Sequence, residues 1–438
     1  MAFSTVQGSG ANDATSFVGT SGVDTVQVQN TDSNILVGGQ QGADVVGFTN
    51  YKNLVTGYTL KGGQGNDQLT STGQTTNIGG ASFINGNKDA DTITLGNTTT
   101  STVHGGQGAD TLVTNTVFSS IVNGNKNADS LTIAAATTGS VFGGQGADTI
   151  TMVGATTSST VSGDLDNDTI AVQGNVNGSV INGNAGTDTL SVTAGTAVWA
   201  TSSMRGGGGN DTVNATNAII GIEMYGDLGN DTLNGGTSDD NITGGAGDDT
   251  VTGNGGNDTI VGTAGTNSLI GNAGQDNITG GTGADSVDAG VGADAVNGGA
   301  GADQITQDNV DSIVGAFSHQ SSDLDCGDTF TFANGVDVVA GFTTLTDDFI
   351  TGSTGVAYLA ENANMEDQDV NENYAIRGEW NADNSVFTVG GTGGAGINTG
   401  DDTLVMADSA HEDMFNVACA GGWFVVTGEN ALQNGDFI

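Results

Sequence analysis

Proline is absent from this chain of 438 residues, and only 6 residues are Lys or Arg against 50 Asp and Glu. Cysteine occurs twice, and aromatic residues make up 5% of the chain. Because nucleic-acid binding depends on clustered basic side chains that contact phosphates, this charge balance excludes a nucleic-acid partner. The net charge of −44 indicates a cation as the partner instead.

Long apolar runs are also lacking. No stretch approaches the roughly 18 residues of a membrane-spanning helix, so we expect a protein that does not span a membrane. The first residues, MAFSTVQGSGANDATSFVG, contain neither a basic n-region nor an apolar h-region, and we therefore expect export without an N-terminal signal peptide. Cys326 and Cys419 allow one disulfide bond, and two buried free thiols are the alternative.

What the sequence does contain is a repeated phrase, G-x-x-G-x-D-x-U-x, in which U is aliphatic. An aliphatic residue follows the sixth position by two residues in every copy, including the copy with Asn267 in place of the aspartate. Up to Asp231 the sixth positions are 19 to 24 residues apart, and afterwards every step is 9 residues. The glycine-glycine form of the phrase stands at residues 62–70, 105–113, 143–151, 206–214, 244–252, 280–288 and 298–306.

This periodicity predicts an all-β, parallel β-roll or β-helix solenoid. Glycine supplies the positive φ of a tight turn, and the residues around U form a short strand. Two nine-residue units, or one longer step, would make one coil, and stacked coils would pair as parallel strands. The U residues would then form a narrow core. We expect one acidic edge and one Thr/Ser-rich edge before residue 231, and two acidic edges in residues 231–303.

The aspartates require a positive partner. Equivalent carboxylates about 5 Å apart would repel by about 3 kcal/mol at an effective dielectric constant of about 20. Calcium accepts carboxylate and carbonyl oxygens in flexible geometry, whereas zinc and copper prefer His or Cys. We therefore predict several Ca²⁺ ions, with these ligands: Asp24, Asp44, Asp67, Asp91, Asp110, Asp129, Asp148, Asp168, Asp188, Asp211, Asp231, Asp240, Asp249, Asp258, Asp276, Asp285, Asp294 and Asp303.

Two turns depart from the glycine-rich pattern by including a lysine. They are GNKDAD (86–91) and GNKNAD (124–129). Either the ammonium groups of Lys88 and Lys126 replace a calcium ion near the acidic row, or they point into solvent. Calcium binding before residue 231 is therefore a weaker expectation than calcium binding after it.

Over residues 19–306 the repeats resemble those of RTX proteins, whose signature is G-G-x-G-x-D-x-U-x. The resemblance implies a calcium-filled parallel β-roll that folds outside the cell. It also implies export by a type I secretion system through an uncleaved C-terminal signal, and the last residues, NGDFI, look like such a signal. The chain departs from the family in its long steps before residue 231.

The pattern divides the chain into four segments. We expect an N-terminal segment (1–18), a long-period parallel β-solenoid (19–230), a nonapeptide β-roll (231–310) and a C-terminal β-rich capping domain with the secretion signal (311–438). The last segment holds 13 of the 23 aromatic residues. We predict strands there at residues 328–332, 337–342, 385–389 and 422–428.

No catalytic constellation is present in the sequence. His104, His319 and His411 are dispersed, and HEDMF (411–415) lacks the second histidine of a zinc-protease motif. Lyase chemistry on acidic sugars would require clustered basic residues near the developing negative charge. We predict no catalytic residues and no enzymatic activity.

These observations favour a secreted calcium-binding structural protein that self-associates into a cell-surface layer or extracellular filament. We expect a homo-oligomer or polymer formed through calcium-bridged contacts. One alternative is an RTX adhesin, or a module that binds ice or a cell-surface glycan through the Thr/Ser-rich edge. A further alternative is a secreted polysaccharide-active enzyme.

Overall fold

The computed structural model describes residues 2–7, 16–19, 21–29, 36–49, 55–72, 77–193, 199–292, 294–300 and 303–307, together with five later strands. Within these residues the secondary structure is β throughout, and no helix occurs. None of the described residues therefore forms a helix long and apolar enough to cross a membrane. The chain divides into two compact units, unit 1 (Met1–Leu228) and unit 2 (Gly229–Ile438).

Unit 1 consists of short strands. They are β1 (Ala2–Gln7), β2 (Ser16–Val18), β3 (Asp24–Gln29), β4 (Leu36–Gly38), β5 (Val45–Thr49), β6 (Val55–Thr56), β7 (Thr59–Gln64), β8 (Gln68–Thr72), β9 (Asn77–Gly79), β10 (Phe83–Lys88), β11 (Thr92–Leu95), β12 (Asn97–Thr99), β13 (Thr102–Gln107), β14 (Thr111–Phe118), β15 (Ile121–Lys126), β16 (Ser130–Thr137), β17 (Ser140–Gln145), β18 (Thr149–Met152), β19 (Thr156–Thr157), β20 (Thr160–Leu165), β21 (Thr169–Val172), β22 (Val176–Asn177), β23 (Val180–Ala185), β24 (Thr189–Val192), β25 (Trp199–Ala200), β26 (Ser203–Gly208), β27 (Thr212–Asn214) and β28 (Glu223–Leu228).

Unit 2 continues the numbering. Its strands are β29 (Thr232–Asn234), β30 (Asn241–Ala246), β31 (Thr250–Gly255), β32 (Thr259–Ala264), β33 (Ser268–Ala273), β34 (Asn277–Thr282), β35 (Ser286–Asp288), β36 (Ala295–Ala300), β37 (Gln304–Gln307), β38 (Thr329–Phe332), β39 (Asp348–Phe349), β40 (Asn373–Asn381), β41 (Val386–Val389) and β42 (Asp402–Ala407).

The strands of unit 1 pair in parallel in a register that follows the long steps. Leu112 of β14 pairs with Leu131 of β16, and Ile170 of β21 pairs with Leu190 of β24. One step of 19 to 24 residues is therefore one complete coil, which confirms the predicted parallel solenoid. The first strand, β1, pairs in parallel with β3, so the ladder begins within the predicted N-terminal segment.

Unit 2 has the shorter coil that two nonapeptides make. Val251 of β31 pairs with Leu269 of β33, and Ile260 of β32 pairs with Ile278 of β34, which are separations of 18 residues. Consecutive nonapeptides thus lie alternately on two facing ladders. The predicted coil of two nine-residue units is confirmed.

The core lies between the two facing ladders of each unit. The aliphatic residues two places after the sixth position are at most 2% exposed from Val26 to Val296. In unit 1 a second buried column faces them, and it includes Val103, Val122 and Val141. Because side chains alternate along a strand, one or two inward aliphatic residues per strand, such as Ile93 and Leu95 of β11, line this narrow interior.

The turns that lead to most of the column aspartates have left-handed backbone at two places. In GGQGAD these are Gly106 (φ 126°) and Gly108 (φ 133°). In the next coil Asn125 (φ 81°) and Asn127 (φ 74°) take the same conformation. Asparagine and aspartate tolerate this region better than other side chains, so GNKNAD forms the same turn as the glycine-rich copies.

The C-terminal strands only partly test the predictions made there. Strands β38 and β41 fall within the predicted strands 328–332 and 385–389, and β40 pairs antiparallel with β41 and β42. The predicted strands 337–342 and 422–428 lie outside the described residues, as do Cys326, Cys419 and the final NGDFI. The predicted cap and its secretion signal stay predictions.

Candidate metal site

The predicted aspartates lie in columns at the edges of the coils, each at the start of a strand. All 18 are between 0 and 4% exposed. Unit 1 carries one column, from Asp24 to Asp211. Unit 2 carries two columns, one with Asp231, Asp249, Asn267, Asp285 and Asp303, and the other with Asp240, Asp258, Asp276 and Asp294.

One oxygen of each carboxylate is used within the chain. The backbone N–H of Asp91 donates to Oδ1 of Asp110 at 2.8 Å, and the N–H of Asp110 donates to Oδ1 of Asp129 at 2.7 Å. The same bond recurs from coil to coil along all three columns. Each column therefore links neighbouring coils by hydrogen bonds between backbone N–H groups and carboxylates.

The other oxygen, Oδ2, is buried without a hydrogen-bond partner in most of these aspartates. The set comprises Asp44, Asp67, Asp91, Asp110, Asp129, Asp148, Asp168, Asp188, Asp249, Asp258, Asp276, Asp285 and Asp294. A buried acceptor without a donor is costly, typically by about 1–3 kcal/mol. A repeated deficit of this kind indicates a missing positive partner.

In most coils a backbone carbonyl of the next coil faces the same space as Oδ2. A Cβ added to Gly105 would lie 2.5 Å from Oδ2 of Asp110 and 2.7 Å from the carbonyl oxygen of Gly124 in the next coil. Both oxygens are acceptors, so the space between them favours a proton, a cation or a hydrogen-bond donor. The first glycine of the motif keeps this space free of side-chain atoms.

Burial raises the pKa of these carboxyl groups. Desolvation raises the pKa of Asp91, Asp129 and Asp168 to about 8, against the opposing effect of the backbone hydrogen bond that each accepts. Burial likewise raises the pKa of Asp258 to about 7 and that of Asp110 to about 6. Without a cation, Asp91, Asp129 and Asp168 would hold protons near neutral pH, and a cation would displace them.

The donor set fits calcium. Among the described residues no three His, Cys, Asp or Glu side chains converge tightly enough to hold a metal by themselves. A cation at these edges would therefore be bound by one carboxylate oxygen per coil together with backbone carbonyls. Calcium accepts such ligands, whereas zinc favours the nitrogen and sulfur donors that these turns lack.

The lysines of the variant turns do not neutralise the columns. Lys88 and Lys126 are exposed, and neither forms an ion pair with an aspartate. The one ion pair in the described part of the chain joins Arg205 to Asp227 at 2.9 Å, with the guanidinium 4.0 Å from the ring centre of Tyr225. The exposure of Lys88 and Lys126, and their lack of an ion pair among the described residues, favour the interpretation in which both lysines point into solvent.

A column of buried serines lies at the edge of unit 1 opposite the aspartates. The sequence did not predict this column in detail. The N–H of Ser101 donates to Oγ of Ser120 at 3.0 Å, and that hydroxyl donates to the carbonyl of Phe118 at 2.9 Å. Ser159, Ser179 and Ser202 repeat the pattern. Because serine both donates and accepts, this column satisfies itself without an ion.

The comparisons with known proteins agree with this chemistry. The family model described as "RTX calcium-binding nonapeptide repeat (4 copies)" matches the chain at residues 95–116, 203–217, 225–260, 252–287 and 270–305. No curated protein and no solved structure matches the chain significantly. The matched segments include turns of both units. The chain carries RTX calcium-binding nonapeptide repeats, and calcium, in several copies, is the cofactor of these repeats.

Proposed function

We propose that this chain is a secreted, calcium-binding structural protein in which the 18 aspartates of the columns hold calcium ions between coils. The observation that carries the proposal is the repeated opposition of a buried Oδ2 and a backbone carbonyl, as at Asp110 and Gly124. RTX repeats are typical of secreted proteins, which supports an extracellular location. Calcium would supply the positive charge, and each coil would supply oxygens to it.

In this proposal calcium is a structural component. The interior of each unit is narrow, and buried carboxylates oppose stacking of the coils unless they are neutralised. Ligands that bind only the folded chain stabilise it in proportion to the logarithm of their concentration. Extracellular calcium would thus convert an unstable chain into a stacked solenoid.

We further propose that copies associate through the uncharged edge of unit 1. We define this edge as residues 96–102, 115–121, 134–140, 154–160, 173–180, 200–203 and 216–222, none of which is charged. Two chains of net charge −44 repel each other over most orientations. The uncharged edge lets two copies approach without bringing carboxylates together.

Exposed apolar side chains on the same edge support this surface. Phe118 is 45% exposed, Ile121 is 42% exposed, and Ile219 and Ile220 are also exposed. Burying these groups between copies would contribute favourable free energy of association. Repeated over many coils, the edge suits assembly into a layer or filament.

The predicted calcium-bridged contacts between copies would use other residues than the columns. The column aspartates are buried, and so they face the interior of their own edge. Asp239 and Asp248, which precede column residues, are exposed and are the acids that a neighbouring copy could share. We propose bridging by such exposed acids only as an addition to contact through the uncharged edge.

A second candidate function is an adhesin or a module that binds ice or a surface glycan. The uncharged edge exposes a column of hydroxyls in left-handed backbone, formed by Thr100, Ser119, Thr138, Ser158 and Thr201. Ser119 and Thr138 share a hydrogen bond of 2.8 Å, which fixes their spacing. Gly178 interrupts the row between Ser158 and Thr201, and its continuous part from Thr100 to Ser158 could pair with hydroxyls of a ligand.

Catalysis receives less support. His104 is half-buried beside Phe83, with ring centres 5.5 Å apart, and burial lowers its pKa. Among the described residues no group of three His, Cys, Asp or Glu side chains forms a metal site that could include it. A secreted polysaccharide-active enzyme is the remaining alternative, and turnover of acidic polysaccharides would establish it.

The oligomeric state tests the structural proposal. Sedimentation and negative-stain microscopy of the full chain, in calcium and in chelator, should show calcium-dependent oligomers or sheets. Phe118→Asp should reduce assembly, whereas Leu165→Asp, at an equally exposed apolar residue on the acidic edge, should not. A persistently monomeric calcium-loaded chain would refute self-association, and retention on glycan would then favour the adhesin.

A further inference from the structure

One position of the unit 2 column that runs from Asp231 to Asp303 is not an aspartate. Asn267 keeps the inter-coil bonds of its neighbours, because its Oδ1 accepts the N–H of Asp249 at 3.0 Å and its own N–H donates to Oδ1 of Asp285 at 2.8 Å. It is 2% exposed, as buried as the acids. The coil is therefore unchanged at this position, and only the chemistry of one atom differs.

The atom that differs is the one proposed to contact calcium. Because Oδ1 is already an acceptor for Asp249, the amide nitrogen of Asn267 takes the place of Oδ2. Its Nδ2 donates to the carbonyl of Gly265 at 3.3 Å and lies 3.5 Å from the carbonyl oxygen of Gly280 in the next coil. A Cβ added to Gly262 would meet both the nitrogen and this carbonyl.

This arrangement reverses the polarity of the site. At Asp110 an Oδ2 and a carbonyl oxygen face each other, and both are acceptors. At Asn267 an N–H donor faces the equivalent carbonyl, so the pair is complementary. The donor occupies the region where a cation would otherwise be needed, and a cation there would be repelled by the positive end of the N–H dipole.

We infer that Asn267 is a metal-free position, at which a carboxamide replaces calcium and divides this column into two separate pairs of aspartates. The pairs are Asp231 with Asp249 and Asp285 with Asp303. The other column of unit 2, with Asp240, Asp258, Asp276 and Asp294, stays uninterrupted. The inference rests on the proposed calcium sites and extends them by assigning where an ion is not bound.

Two consequences follow for unit 2. The column from Asp231 to Asp303 has a carboxylate at four of its five positions, whereas all four positions of the other column are aspartates. At Asn267 itself no buried carboxylate oxygen needs a positive partner, so this position is the part of its column least dependent on calcium.

The test uses the full chain and two opposite substitutions, Asn267→Asp and Asp276→Asn. Equilibrium dialysis with calcium alone gives the number of ions per chain, and thermal melting in chelator gives the stability of the metal-free chain. Asn267→Asp should bind at least one more ion than the wild type and melt lower in chelator. Asp276→Asn should bind at least one fewer ion and melt higher in chelator.

The outcomes separate the inference from the proposed function. If Asp276→Asn loses an ion while Asn267→Asp gains none, the assignment of Asn267 is wrong and the calcium columns stand. If neither substitution changes the number of bound ions, the columns do not hold calcium and the proposed function falls with the inference. If Asn267→Asp does not fold, a higher melting temperature of Asp276→Asn in chelator still supports the amide as the replacement, and a lower one contradicts it.

Discussion

Oδ1 of Asp129 accepts the backbone N–H of Asp110 at 2.7 Å, while Oδ2 of the same carboxylate is buried without a hydrogen-bond partner. The two oxygens thus have separate roles. One completes the backbone pairing between coils, and the other is left for a cation. Substitution by Asn removes the second role alone and substitution by Ala removes both, which makes the columns accessible to experiment.

Removal of calcium should destabilise the coils. The columns place many buried carboxylates in one molecule, and their desolvation opposes folding when no cation is present. We expect chelator at about neutral pH to reduce the β signal in circular dichroism and to lower the melting temperature, and calcium to restore both. Magnesium at the same concentration is the control, because its stricter octahedral geometry suits these ligands less well. A spectrum that chelator leaves unchanged would contradict the coupling of metal binding to folding.

Acid should stabilise the metal-free chain. Burial raises the pKa of Asp91 and Asp129 to about 8, whereas unfolded aspartate titrates near its ordinary value of about 3.9. The folded chain therefore binds more protons than the unfolded chain, and its stability falls as the pH rises from about 4 to about 8. Chelated protein should show more β signal at about pH 5 than at about pH 8.5. The Asp91→Asn/Asp129→Asn variant should depend less on pH, and equal signals at both pH values for the wild type would contradict the expectation.

Substitutions at Asp129 should separate its two oxygens. Asp129→Asn keeps an acceptor for the N–H of Asp110 and removes the buried carboxylate charge, so it should weaken calcium binding without lowering metal-free stability. Asp129→Ala leaves that buried N–H unsatisfied and should cost about 1–3 kcal/mol in the free energy of unfolding even without calcium. Denaturant titration of both variants, with and without calcium, measures the difference. Equal effects of Asn and Ala in chelator would show that the hydrogen bond is unimportant.

The first glycine of the motif should tolerate no side chain. A Cβ at Gly105 would lie 2.5 Å from Oδ2 of Asp110, in the space proposed for the cation. We expect Gly105→Ala to lower calcium affinity and to destabilise the folded chain by about 1–3 kcal/mol through steric overlap. Gln107→Ala in the same turn is the matched control, since Gln107 is exposed. Wild-type calcium affinity in Gly105→Ala would place the ion elsewhere.

The sequence was sufficient to predict the columns and the coil length. In a coil of two nonapeptides, the sixth residue of each nonapeptide lies at an edge and the eighth lies in the interior. Asp249 and Val251 could therefore be placed by counting. The different contacts of Oδ1 and Oδ2 could not be predicted, because they depend on how each coil is positioned relative to the next one in the stack. The directions of the Lys88 and Lys126 side chains could not be predicted from the sequence either, since a side chain at an exposed turn can point toward the acidic column or into solvent.

The serine column at the uncharged edge was only partly foreseeable. Hydroxyl-rich turns were evident, but the burial of Ser101 and Ser120, rather than of the exposed Thr100 and Ser119 beside them, follows from the turn conformation. Thr100 and Ser119 adopt positive φ values of 49° and 45°, which turn the following serines inward. A serine that recurs once per coil, preceded by a small or hydroxyl residue, is the sequence signal that could have identified the column.

The serine column should stabilise unit 1 independently of calcium. Oγ of Ser120 accepts the N–H of Ser101 and donates to the carbonyl of Phe118, so Ser120→Ala removes both bonds and leaves the N–H of Ser101 buried without its acceptor. We expect a loss of about 1–3 kcal/mol in the free energy of unfolding. Because no ion is involved, calcium affinity should stay at the wild-type value, in contrast to Asp129→Asn. The exposed Ser119→Ala is the control, and it should change stability by less than about 0.5 kcal/mol. A calcium-binding defect in Ser120→Ala would show that the two edges are energetically coupled across the core, and the assignment of separate roles to them would be wrong.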